Sequence, residues 1–336
     1  MSPGILHDAC SSIHPLALAT GFFKEFELEK RMSFAIPEAS YANPLDGADM
    51  RAAIAYRDLN KTAEELGRDG NAYRRFYETL LRRNEGVVDF ALGGSMLRWP
   101  RSLGAALSAA THTLEQGSAV WNLRFREEFA PALISGVAAH SIGRMPNLAT
   151  SAVGVVLGML GHDRGWPVPV GGSKSISDAL VADLIAHGGK VETSHAITDV
   201  AELDSYGTVI FDTSARGLAE IAGSRLPERY VRKLRNFKFG DGATKVDFVL
   251  NGPIPWADSR HDSATVHVGG SRAEVAASER RVARGEHPDL PYILLTQPTA
   301  FDPGRNPAGV HAVGSYTHVP SGSTEDMRER VITQIS

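Results

Sequence analysis

The sequence predicts a mixed α/β fold, and three observations predict it. Apolar residues recur at helical spacing through the first half and alternate at strand spacing in the last third. Between them lies a loop too rich in Gly and Pro to continue either pattern. The chain has 336 residues, 43% hydrophobic and 22% charged, a composition that builds a core rather than a disordered tail. At roughly 150 residues per domain the length suits about two domains. Lys and Arg number 35 against 39 Asp and Glu, a net charge of -4, so nothing in the balance attracts nucleic acid or an anionic membrane. Cys10 is the only cysteine. It can form neither an internal disulfide nor a thiolate metal cage, which points to a reducing, cytoplasmic setting. The N-terminus carries neither the basic nor the apolar region of a secretory signal. The longest nearly polar-free run, 148–160, is shorter than the roughly 20 residues a bilayer span needs, so no transmembrane segment is expected.

Taken in order, the first clear element is a helix over 73–81. Tyr73, Phe76, Tyr77, Leu80 and Leu81 share one face, and Arg74, Arg75, Glu78, Arg82 and Arg83 take the solvated positions. Further helices are expected near 57–66, 103–114, 130–139 and 148–160. Gly154 and Gly158 mark the last as a tightly packed interior helix. The loop 165–172 holds two Pro and three Gly. Behind it Ile176, Ala179, Leu180, Leu184 and Ile185 trace a helix that Gly188-Gly189 ends. A short strand around Val191, a second over 208–211 and a helix over 215–222 are expected next. In 244–250, Val246, Phe248 and Leu250 alternate with Lys245 and Asp247, the pattern of a strand with one apolar face. The runs 265–268, 292–296 and 313–317 are further strand candidates. Ser271 and Glu274 form a capping box for a helix reaching about Arg284. Met327, Val331, Ile332 and Ile335 trace a final amphipathic helix, and the chain stops within that pattern.

Motif searches exclude several chemistries. G-x-S-x-G and G-x-x-x-x-G-K-[ST] are absent, and the G-x-G at Gly240-Asp241-Gly242 lacks the third Gly of a dinucleotide fingerprint because Lys245 stands there. The 12 His show no metal spacing, and His7, His14, His140 and His162, in mixed apolar surroundings, read as structural. The residues alone therefore describe a soluble, two-part α/β protein with no self-evident active site.

Residues 165–200 read G-W-P-V-P-V-G-G-S-K-S-I-S-D-A-L-V-A-D-L-I-A-H-G-G-K-V-E-T-S-H-A-I-T-D-V. This run resembles the second dinucleotide-domain segment of FAD-dependent oxidoreductases of the phytoene desaturase and amine oxidase superfamily. Those proteins carry a P-x-G-G loop, a helix and then G-G-x-[VI]-x(5)-V-x-x-[IV]. The likeness continues through 208–216 and 230–256, and 4–18, 43–46, 291–307 and 315–327 are similar to the phytoene dehydrogenase-like NAD(P)/FAD-dependent branch. The implied fold is an incomplete FAD/NAD(P)-binding Rossmann-like domain interleaved with a helical and mixed-sheet substrate domain. Its expected parts are an N-terminal segment (1–42), a mainly helical substrate-side region (43–164), the second FAD segment (165–223) and a sheet-rich substrate domain (224–336). Family members open with a strand, G-x-G-x-x-G and a helix whose amides hold the FAD pyrophosphate, and close with a segment that reaches the flavin. Neither is present, so the resemblance implies a fragment lacking both terminal FAD-binding segments.

The resemblance implies removal of hydride from a C–H bond of a hydrophobic or amine substrate to flavin N5, with FAD as cofactor. The competing expectation is a non-catalytic fragment or subunit unable to hold FAD without a partner or the missing loop. Ile197 matches a position whose backbone pairs with the adenine. Asp212 and Thr213 match a strand end beneath adenine and ribose, and Gly171 and Gly172 a loop of close backbone approach to cofactor or substrate. Lys245, in Phe239-Gly-x(4)-Lys245-Val, resembles the amine oxidase Lys that holds a water near flavin N5, where it stabilises developing negative charge. No metal is implied, the partner is a small molecule, and the oligomeric state is not fixed by the sequence.

Overall fold

The computed structural model describes residues 3–46, 51–93, 99–258 and 263–336. The helices are α1 Gly21–Glu25, α2 Leu28–Arg31, α3 Leu59–Glu65, α4 Gly70–Leu81, α5 Asn84–Leu92, α6 Leu103–Gln116, α7 Phe129–Ala138, α8 Leu148–Asp163, α9 Lys174–Ala186, α10 Ala215–Ala222, α11 Glu228–Arg235, α12 Arg272–Val282 and α13 Arg328–Ile335. The strands are β1 Phe34–Ala35, β2 Ala39–Pro44, β3 Ala52–Tyr56, β4 Val168–Pro169, β5 Gly242–Leu250, β6 Thr265–Val268, β7 Ile293–Thr296 and β8 His311–Val319. The chain divides into two compact units, the first Met1–Leu180 with Asp241–Ser336 and the second Val181–Gly240.

The first unit is built on a six-stranded sheet of order β3-β2-β6-β7-β8-β5, with β1 and β4 pairing separately. Every pair in the large sheet is antiparallel except β2 with β6. The mixed α/β class expected from the sequence is therefore what the chain adopts. Side-chain alternation gives the sheet two unlike faces. Val266, Ile293, Leu295, Val313 and Val319 form one apolar face with Met327 and Val331 of the C-terminal segment, and Val246 and Phe248 pack against them. Thr265, His267, Leu294, Thr296, Tyr316 and Lys245 fall at the alternate positions of the same strands.

The helical layer has its own core. Tyr73, Phe76, Tyr77 and Leu80 of α4 are fully buried against Leu133, Val137, Met159 and Leu160, which is why the charged positions of that helix lie outward. Phe76, Leu80, Leu133, Val137, Met159 and Leu160 each contribute about 1.5–3 kcal/mol on burial. Gly154 and Gly158 behave as close-packing positions in α8. A Cβ at Gly154 would lie 2.8 Å from Cβ of Ala138, and one at Gly158 would lie 2.2 Å from the Tyr77 hydroxyl oxygen. The capping box predicted at Ser271 and Glu274 opens α12.

Two expectations need correction. The first half is not wholly helical, because Ala39–Pro44 and Ala52–Tyr56 form β2 and β3. They are short, alanine-rich and buried on both faces, so neither alternation nor β-branching marks them. In the second unit, the strands expected around Val191 and over 208–211 are not formed. Val191 and Ile210 are instead exposed, Ile210 by 90%. A strand needs a neighbour to take its backbone hydrogen bonds, and among the described residues of this unit there is none. Its order comes from α10 and α11, where Ala219, Ala222 and Val231 are buried, and from a capping box between Asp199 and Glu202.

Candidate functional site

A cavity of about 400 Å³ opens on the polar face of the sheet. Its floor is Ala243 and Lys245 of β5, Leu294 and Thr296 of β7, and Gly314 and Tyr316 of β8. Lys245 pairs with Tyr316 across the β5–β8 ladder, and Tyr316 with Leu294 across β7–β8, so the register alone brings these side chains into one row. The walls are the 9–13 stretch with Pro15, Trp166, and His140 on the turn after α7. The volume and the mixture of apolar, aromatic and few polar groups are those of a small-molecule site.

Lys245 is the sequence-predicted residue that the fold brings to this cavity. Its Nζ donates to the carboxylate of Asp247, two residues along the same strand face. Gly314 stands opposite Asp247, where a Cβ would crowd Thr296 Oγ1 at 3.0 Å and lie at ordinary contact distance from the Asp247 oxygen (3.4 Å) and the Lys245 nitrogen (3.6 Å). Both side chains are about a quarter exposed, so the ion pair adds at most about 1 kcal/mol to stability. The pair holds the Lys245 ammonium in place at the cavity floor.

Gly171 and Gly172 do not line the cavity. They form a positive-φ turn, at 78° and 91°, whose amides are taken. Gly171 N–H donates to Asp302 (2.8 Å), Gly172 N–H to the Pro169 carbonyl (3.1 Å), and the following Ser173 N–H to Asp8 (2.7 Å). Arg305, fully buried, donates to Asp8 at 3.1 Å and lies 3.6 Å from Asp302. The loop thus buttresses the wall. Ser173 Oγ donates to the Ser11 carbonyl at 2.5 Å and lies 2.8 Å from His14 Nε2. Ile197, Asp212 and Thr213 belong to the second unit. Ile197 is half-buried just before the Asp199 capping box, and Asp212 and Thr213 are exposed immediately before Ser214, which caps α10 by accepting from Gly217 N–H at 3.0 Å.

Sequence reasoning missed His140 and its partner His267. Asn43 donates to the Ala132 carbonyl at 3.0 Å, which leaves its oxygen facing His267 Nδ1 at 3.1 Å. His267 Nε2 in turn meets His140 Nε2 at 2.9 Å. Burial drives both imidazoles toward the neutral form, with His140 pushed down to about 3 and His267 lowered further by its neighbour His140. His162, by contrast, is a core residue as expected. Its ring bridges the Tyr73 hydroxyl (2.9 Å) and the Tyr56 carbonyl (2.8 Å), and burial lowers it to about 4.

No protein-family model matches the sequence, and no curated protein matches it. Among solved structures, the chain is similar to a Pyrococcus furiosus protein at 10% identity and a TM-score of 0.46, covering 96% of this chain and 69% of that one. It is also similar to an oxidoreductase from Methanosarcina mazei at 13% identity and a TM-score of 0.49, covering 96% and 68%. At these scores neither likeness extends to chemistry.

Proposed function

We propose that this protein serves a flavin-dependent oxidoreductase reaction, with the cavity at Lys245 holding the reacting groups. The observation that carries the reading is the position of Lys245. The resemblance singles it out from sequence alone, and it stands on the floor of the cavity that Trp166 and Tyr316 also line.

The cavity residues fit a flavin at its ring end. Lys245, Trp166, Tyr316 and Thr296 offer a cation, two aromatic surfaces and a hydroxyl to a planar polar ring or to the substrate against it. The Gly171–Ser173 amides, already bonded to Asp302, Pro169 and Asp8, offer a cofactor or substrate no free donor. A bound flavin would supply the hydride acceptor. The chain's own groups would do the rest. Trp166, Leu294 and Ile13 exclude water, which strengthens every charge interaction inside. Lys245, steered by Asp247, places positive charge where negative charge develops. The hydrophobic character of the substrate follows from the apolar lining, and the amine alternative from the resemblance alone.

The occupied loop amides favour a second reading, a binding module that holds an apolar ligand without a redox cofactor. The two part on one experiment. Purified protein is incubated with FAD, desalted and scanned for flavin absorbance. The redox reading expects flavin retained with the protein, and a colourless product overturns it in favour of the binding module.

A further inference from the structure

His140 lines the cavity, and the scheme above leaves it idle. His140 sits on the Ala139–Ser141 turn, closed by Ile142 at a φ of 50°. Its ring is held edge-on between Trp166, at 5.3 Å, and His267, at 5.0 Å. The hydrogen-bond chain behind it has a fixed direction. The Ala132 carbonyl can only accept, so the Asn43 amide nitrogen faces it and the Asn43 oxygen faces His267. His267 Nδ1 must then carry the proton, and its neutral ring leaves Nε2 as acceptor. His140 Nε2 therefore donates to His267, and the neutral His140 ring has its lone pair on Nδ1. Among the described residues Nδ1 has no hydrogen-bond partner, and unlike the Tyr41 and Tyr77 hydroxyls it is not sealed in the interior. Gly136 makes the chain possible: a Cβ there would fall 2.2 Å from the Asn43 amide nitrogen and 2.8 Å from His267 Nδ1.

We propose that His140 is a specificity-determining residue of this cavity, its Nδ1 accepting a hydrogen bond from a hydroxyl group on an otherwise apolar ligand. Three features select that class. The acceptor requires a donor on the ligand. The ammonium of Lys245 on the same cavity disfavours a cationic amine there. Ile13, Leu294, Trp166 and Tyr316 require an apolar or aromatic body. Asn43 and His267 act as positioning residues, since they decide which nitrogen of His140 is bare. The inference narrows the substrate class of the cavity proposed above, yet it concerns binding alone.

The test uses the full chain without cofactor and three probes of similar size, benzyl alcohol, toluene and benzylamine at neutral pH. In histidine-labelled protein, the ¹⁵N spectrum should show His140 Nδ1 unprotonated, and its resonance should move with benzyl alcohol and not with toluene. Benzyl alcohol should bind about fivefold more tightly than toluene, the worth of one net hydrogen bond, and benzylamine no better than toluene. In His140→Phe the advantage of the alcohol should vanish while toluene affinity persists. A protonated Nδ1, equal binding of alcohol and toluene, or tighter binding of benzylamine would overturn the proposal, and the spectrum of the wild-type protein decides it even where the variant fails to fold. Alcohol selectivity in a protein that keeps no flavin would sink the redox reading and leave this one standing.

Discussion

His162 and His140 both pack among aromatic rings, His162 buried and His140 part-buried, and they use their ring nitrogens differently. In the helical core, both nitrogens of His162 are used, one by Tyr73 and one by Tyr56. At the sheet face, His140 uses one nitrogen on His267, has no described partner for the other and lines a cavity. The core around His162 is closed by Tyr77 against Gly158, whereas the sheet face around His140 keeps about 400 Å³ unfilled. The lesson is that burial alone does not separate a structural histidine from a functional one. What differs between these two is that His162 uses both ring nitrogens, whereas His140 uses one and lines a cavity.

Breaking the frame of the cavity should have the largest effect. Arg305→Leu leaves Asp8 and Asp302 buried without their cation and should cost about 3–5 kcal/mol, read as a lowered urea midpoint. His162→Leu orphans a buried hydroxyl and a carbonyl and should cost about 2–4 kcal/mol in the same assay. His140→Phe leaves only His267 Nε2 without its partner and should cost about 1–2 kcal/mol. Equal losses for the two histidines would erase the distinction between the regions.

The pH dependence sharpens the same contrast. Each histidine has a folded-state pKa below its ordinary value of 6.5, about 4 for His162 and about 3 for His140, because burial disfavours the charged ring. Between those values and 6.5 the unfolded chain binds the extra proton. The stabilisation is therefore complete above pH 6.5 and falls as pH drops, by about 1.4 kcal/mol per pH unit for each histidine. Denaturation measured from pH 7 to 4 should show this decline, and His162→Leu should make it shallower. A stability that rises toward pH 5 would contradict the assignment of neutral buried rings.

The two loop glycines give effects of the same order as His140→Phe. Gly172→Ala combines a φ of 91° with a Cβ 2.8 Å from Leu6 and 3.0 Å from Arg305, and should cost about 2 kcal/mol. Gly171→Ala meets open space and carries only the backbone penalty, about 1 kcal/mol. Thermal midpoints of the two variants in that order are expected, and the reverse order would show that the loop is not the tight buttress described.

Much of the fold was legible because its signals are local. The stripe of Tyr73, Phe76, Tyr77 and Leu80, the capping box at Ser271 and the alternation around Lys245 each lie within one turn or one strand. β2 and β3 were missed because alanine-rich strands buried on both faces show no period. The strands expected around Val191 and over 208–211 failed for the reverse reason. Their apolar runs are clear, but a strand depends on a neighbour that a local reading does not supply. In the cavity, Lys245 was legible through its strand position and its resemblance, and Asp247 followed at the next position on the same face. His140 was not legible, since its role depends on Asn43 and His267, which lie 97 and 127 residues away along the chain. A run of small residues around a histidine gives no hint of which nitrogen will be left bare.

The most direct test of the central claim is the rate at which oxygen reoxidises reduced flavin bound to the protein, compared between the wild type and Lys245→Met at equal flavin content. A cation fixed by Asp247 at the reacting site predicts slower reoxidation in the variant, by roughly tenfold to a hundredfold. Equal rates, or a protein that retains no flavin to reoxidise, would contradict it.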